Sequence, residues 1–229
     1  MCLMDIITIN QMTFVIRFKS EYIISQKRFD EYLAKTILER CFPEKFFDLQ
    51  ISDKPDLRYG TQIGIEVTNC MPTRVAEAFK LWNRVAEQGQ QTPPRIFERL
   101  EQLDEVQLVD DELIWMQGMY SQDELIDFYD AVEKKVERLN STKANYEPMD
   151  TYELFLNSFI IIPRWKIEEV LVRLRDINSK PKKYRYIYLI TNEKKLLIFD
   201  MINHTLAVKY LYSYLDRLAE EAKKMFLRE

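Results

Sequence analysis

The chain has 229 residues, 47% hydrophobic and 31% charged, with four glycines, eight prolines and a formal net charge of −4. These values exclude a low-complexity chain and a uniformly basic nucleic-acid binder, and they suit a single domain over residues 1–229 with a sizeable core. The charge is uneven: residues 1–150 carry −9 and residues 151–229 carry +5, so a basic face is expected from the C-terminal third. Cys2, Cys41 and Cys70 are odd in number and lack CxxC spacing, which argues for a reducing compartment and against structural zinc. The first twenty residues carry Asp5 before any base and no long apolar run. A cytoplasmic protein without a leader or membrane span is therefore expected.

Short strands are predicted at Ile6–Ile9 and Thr13–Phe18. A helix follows from Ser25 to about Arg40, with Phe29, Tyr32, Leu33, Thr36 and Ile37 at helical spacing and Pro43 beyond its end. Phe46–Ser52 reads as the first core strand. Residues 53–69, DKPDLRYGTQIGIEVTN, read as two strands, Asp56–Arg58 and Gln62–Thr68, turning at Gly60. The second is β-branched and apolar except for Glu66, and a carboxylate inside such a strand needs a partner. An antiparallel pairing brings Asp56 close to Glu66. Two converging carboxylates, with the Val67 carbonyl as a third oxygen, form a hard-oxygen site suited to Mg²⁺ or Mn²⁺.

Thr73–Gln88 is a predicted helix with Val75, Phe79, Trp82 and Ala86 on one face. Gln88–Pro94 is a polar break. From Glu98 to Glu133 there are twelve acids against one base, Arg99. That run is either the solvated face of helices or an acidic lid or protein-partner surface. Helices are further expected at Asp123–Leu139, Lys166–Ile177 and about Val208–Leu227, with strands at Tyr152–Ile162, Tyr184–Thr191 and Lys195–Asp200. The alternating Tyr184, Tyr186 and Tyr188 read as sheet packing rather than a base-stacking platform. A single histidine, His204, rules out a multi-histidine metal site, and no P-loop or GxGxxG occurs.

Pro55-Asp56 followed by Glu66-Val67-Thr68 resembles the PD-(D/E)xK nuclease superfamily, except that Thr68 stands where that family has lysine. The resemblance implies an α/β fold: a restriction-endonuclease-like core (residues 25–88 and 123–162), here with an acidic helical insert at 89–122 and a C-terminal hairpin plus helix within 163–229. It also implies Mg²⁺-dependent cleavage of DNA, with Asp56 and Glu66 as metal ligands, and a site-facing glutamate on the first helix, for which Glu31, 25 residues before Asp56, is the candidate. Some superfamily members take their lysine from another element. On the helix at 123–139, advancing roughly 100° per residue from Leu125 turns Lys134 outward and sets Lys135 at the edge of the buried face. Lys135 is therefore the candidate replacement. A non-catalytic module of the same fold, binding nucleic acid or a protein as in phage–bacterium conflict, is the alternative. Arg164–Lys195 holds ten bases against four acids, and Pro181 keeps Lys180–Lys183 out of helix. Lys180, Lys182, Lys183 and Arg185 are therefore the expected contacts to a nucleic-acid backbone.

Overall fold

The apolar strands and amphipathic helices of this chain assemble into two compact units, residues 1–24 with 71–124 and residues 25–70 with 125–229. The structure, a computed structural model, describes residues 14–19, 26–70, 77–78, 80–81, 84–85, 93–103, 106–109, 112–117, 122–158, 160–191, 193–212 and 214–228.

In the larger unit, helix α1 (Gln26–Cys41) leads to strands β2 (Gln50–Ile51), β3 (Leu57–Tyr59) and β4 (Ile63–Cys70). After the chain returns come helix α3 (Gln122–Asn140), β7 (Thr151–Ser158), α4 (Ile167–Ile177), β8 (Tyr184–Ile190), β9 (Lys195–Asp200), β10 (Thr205–Tyr210) and α5 (Leu215–Phe226). These strands form one mixed seven-stranded sheet in the order β10-β9-β8-β7-β4-β3-β2. Its central pairs β4/β7 and β7/β8 are parallel and the others antiparallel. Parallel strands need both faces covered, and here helices flank the sheet.

Period-two alternation decides which residues meet which layer. Ile65 and Val67 of β4, with Phe155, Tyr188 and Ile198, face the core that α1 and α5 complete through Leu33, Ile37, Leu38, Leu218 and Ala222. Burying each such side chain contributes about 1.5–3 kcal/mol. Glu66 points to the opposite face, where α3 lies and Phe128 sits 6.5 Å from Phe199.

The smaller unit contains helix α2 (Pro94–Glu101) and a three-stranded antiparallel sheet in the order β1-β6-β5, built from β1 (Phe14–Lys19), β5 (Val106–Val109) and β6 (Glu112–Gln117). The insert at 89–122 is thus only partly helical. Its apolar residues lie in two short runs separated by Asp110-Asp111, a pattern that makes a hairpin rather than a continuous helix. The expected strand at Ile6–Ile9 and most of the expected helix at Thr73–Gln88 lie outside the described residues.

Two further boundaries differ from the sequence pattern. Only Gln50–Ile51 of the expected strand 46–52 pairs, because the chain first makes a helical turn closed by Phe46 N–H donating to the Phe42 carbonyl at 2.8 Å. Residues 205–210 are a strand rather than the start of a long helix. The Asp200 carboxylate accepts the Ile202 and Asn203 N–H groups at 2.9 Å each, and His204 turns at φ 54°, sending the chain back along β9. No helix among the described residues is long and apolar enough to cross a membrane.

Candidate active site

The site is built where the short strand β3 runs out beside the longer β4. The ladder pairs Leu57 with Ile65 and stops there, so the next residue back, Asp56, stands opposite Glu66. Beyond the end of β3 the Val67 N–H has no strand to bond, and the Asp56 Oδ2 accepts it at 2.8 Å. Gly60 makes the turn at φ 55°. Gly64 admits the proline: a Cβ there would lie 2.7 Å from Pro55 Cγ and 2.9 Å from Met149 Cγ. The sequence Lys-Pro-Asp is thereby pressed against β4, with the Ser52 N–H donating to the Asp56 carbonyl at 2.8 Å.

Helix α3 supplies the cation. Leu125, Phe128, Val132, Val136 and Leu139 are buried, Lys134 is exposed, and Lys135 is buried at 9% exposure. Its Nζ donates to Glu66 Oε2 at 2.7 Å and to the Val67 carbonyl at 3.0 Å, and lies 3.7 Å from Asp56 Oδ2. Asp56 and Glu66 are 2% and 1% exposed. The Tyr184 hydroxyl donates to the Lys135 carbonyl at 3.1 Å, tying this turn of α3 to β8. One ammonium thus faces two buried carboxylates, bonded to Glu66 and 3.7 Å from Asp56, which the Val67 N–H also supports.

Glu66 Oε1 is buried and accepts no hydrogen bond of ordinary geometry. Its neighbour is the Tyr146 phenol, which burial first, and then the charge of Glu66, pushes above its usual range. Burial and the same carboxylate also push Tyr184 up. Both phenols stay neutral through the physiological range and remain donors beside the acids.

The other expected site residues lie elsewhere. Glu31 is buried on α1 with the Arg28 guanidinium 3.9 Å away. Helix α1 packs on the Ile65 and Val67 face of β4, the face opposite Glu66. Thr68 shares the Glu66 face two residues on. Lys180, Lys182 and Lys183 lie in an exposed loop between α4 and β8, held to the end of α3 by Asn140. Arg185 leans over the Tyr186 ring at 5.4 Å, and its charge acts on Lys45 and Glu153. It belongs with that pair rather than with the lysine loop.

Sequence reasoning missed three things. Tyr146 lies in an irregular segment and carries no local signal. Tyr184 was legible only as a packing residue. Glu153 was legible, being a lone acid in the apolar strand Tyr-Glu-Leu-Phe-Leu, as Glu66 is in its own strand. It accepts Lys45 Nζ at 2.7 Å on one oxygen and the Tyr188 hydroxyl at 2.9 Å on the other. Among the described residues no three His, Cys, Asp or Glu side chains are grouped as a metal cage. Asp56, Glu66 and the Val67 carbonyl still make a donor set of the kind Mg²⁺ accepts, since that ion takes one or two carboxylates and keeps waters.

No protein-family model, curated protein or solved structure matches this chain.

Proposed function

We propose that Asp56, Glu66 and Lys135 form the centre of a Mg²⁺-dependent phosphodiesterase acting on DNA, a divergent PD-(D/E)xK nuclease with a restriction-endonuclease-like core in the larger unit. The observation that carries this reading is the position of the Lys135 ammonium, brought from α3 to 2.7 Å from Glu66 and 3.7 Å from Asp56 while Thr68 occupies the motif's last position. The donor chemistry fits a hard cation: Asp56, Glu66 and the Val67 carbonyl would hold it. When bound, such an ion neutralises phosphate charge and makes water a better nucleophile. Lys135, fixed by three oxygens, is placed to orient a water or to stabilise charge developing on the phosphate.

Purified protein with Mn²⁺ should nick or degrade DNA, and Lys135→Ala should lower the single-turnover rate by about 10²–10³-fold, the cost of losing one preorganised donor. Lys135→Ala that folds and cleaves at the wild-type rate would remove Lys135 from the mechanism.

One observation favours a second reading. Lys135 already neutralises Glu66 and bonds the Val67 carbonyl, so the same contacts suit a non-catalytic module in which the ammonium is a permanent structural counter-ion. Wild-type protein inert on every DNA and RNA form would favour it.

A further inference from the structure

An open cleft of about 480 Å³ lies along the outer side of α3, lined by Lys54, Lys134, Arg138 and Lys143 with Glu137 as the only acid of its lining. Four bases against one acid stand out in a chain whose net charge is −4. Three connections join this cleft to the site. Lys54 immediately precedes Pro55-Asp56, and its carbonyl accepts the Glu147 N–H at 3.1 Å. Lys134 and Arg138 flank Lys135 on α3. The Arg138 guanidinium lies 6.0 Å from the centre of the Tyr146 ring, and Tyr146 is the neighbour of Glu66.

The loop after α4 is tied to the same helix. Asn140, at the end of α3, accepts the Lys182 N–H at 2.9 Å and donates to the Lys182 carbonyl at 2.7 Å, while the same amide donates to the Val136 carbonyl at 2.8 Å. This bracket holds the loop bearing Lys180, Lys182 and Lys183 against the helix that lines the cleft. The basic loop and the basic cleft thus share α3 as their support. Basic side chains also complement the negative end of a helix, which accounts for Arg138 and Lys143 but not for Lys54 or Lys134.

We propose that this cleft binds consecutive backbone phosphates of one nucleic-acid strand and leads that strand to Glu66 and Asp56. The inference rests on the nuclease reading for its direction, but the binding stands on the cleft alone. Spaced ammonium and guanidinium groups suit phosphates, whose contacts are sequence-independent and release counterions.

The test is fluorescence anisotropy of labelled 20-nucleotide DNA and RNA strands with full-length protein in EDTA, from low to moderate salt. The variant combines Lys54→Ala, Lys134→Ala and Lys143→Ala; Arg40→Ala, Lys224→Ala and Arg228→Ala together serve as a charge-matched control on the α1 and α5 side. The cleft variant should bind at least tenfold more weakly at low salt, and its log–log salt slope should flatten by about one unit for each phosphate no longer neutralised. The control should keep most of both. Equal weakening in variant and control, or none in the variant, would overturn the cleft as the binding track while leaving the nuclease reading intact. Wild-type protein that binds neither strand at low salt would also overturn it. Binding abolished in the cleft variant, by a wild type that cleaves nothing in Mn²⁺, would uphold the cleft and defeat the nuclease reading instead.

Discussion

The central sheet carries two buried glutamate–lysine pairs, one on each face. On the α3 face Glu66 meets Lys135 at 2.7 Å; on the α1 face Glu153 meets Lys45, also at 2.7 Å. As ion pairs they are alike, and neither contact by itself says anything about function. Their surroundings differ. Both Glu153 oxygens are satisfied, one by Lys45 and one by the Tyr188 hydroxyl, and the Lys45 ammonium is walled by the Phe46 and Tyr186 rings at 4.5 and 4.3 Å. Glu66 has the Tyr146 phenol beside it, and a second carboxylate, Asp56, lies 3.7 Å from the same lysine. A closed pair is what a core polar group needs. Two carboxylates sharing one ammonium are costly unless the site accepts a further positive charge.

The comparison is broken or sharpened most strongly by removing the lysines one at a time. Lys45→Ala leaves Glu153 buried without its cation and should cost about 3 kcal/mol, the lower end for a broken buried pair, since Lys45 itself is partly exposed. Urea unfolding measures this. DNA cleavage by the folded fraction should persist in Lys45→Ala. Lys135→Ala should destabilise at least as much, about 3–5 kcal/mol, since it leaves two buried carboxylates without their cation, but unlike Lys45→Ala its folded fraction should lose cleavage, while the two carboxylates gain affinity for a divalent ion.

Acid–base behaviour offers a second contrast. Burial pushes the Glu153 carboxyl above its usual range, opposed by Lys45 and the Tyr188 hydroxyl, and burial holds Lys45 below the usual lysine range. A carboxyl whose pKa is higher folded than unfolded adds stability that is full below its unfolded pKa and is lost as pH rises through the folded one. Glu153→Gln, which copies the neutral acid at every pH, should therefore gain on wild type as pH rises from 4 through the raised carboxyl pKa. A difference between the two proteins that stays constant with pH would mean that Glu153 titrates as it does unfolded. Lys45 acts in the opposite sense: its share is present above the ordinary lysine pKa and is lost as pH falls through the lowered one, so it should be compared in a separate Lys45→Met titration.

Both pairs are written in the sequence as lone acids within apolar strands. Only Glu66 stands out there, because Pro55-Asp56 lies a hairpin away. Lys135 was legible from helical geometry: five apolar neighbours on α3 fix its side of the helix, and long stems at such an edge can turn inward. The strand β10 was hidden by a turn that depends on the Asp200 side chain and on His204 at positive φ. The hairpin β5–β6 was hidden by acids whose number suggested a solvated helix. Tertiary pairing, here of β6 with β1 some hundred residues away, overrode local composition.

The smallest expected effect concerns the loop. Asn140→Ala removes the bracket on Lys182 and should cost about 1 kcal/mol in stability for its partly exposed hydrogen bonds. It should also weaken strand binding a few-fold without changing the cleavage rate at saturation. Anisotropy and single-turnover kinetics separate the two, and unchanged binding would detach the lysine loop from the cleft.

The difference between the two faces is tested most directly by calorimetric titration of Mn²⁺ into wild type, Glu66→Gln and Glu153→Gln. One site is expected in wild type and in Glu153→Gln, and its loss in Glu66→Gln, with thermal stabilisation of about 2.7 kcal/mol at a hundredfold excess over Kd only where the site survives. Binding of equal strength in Glu66→Gln, or no binding by wild type at millimolar Mn²⁺, would contradict the assignment of Glu66 and Asp56 to a metal-dependent centre.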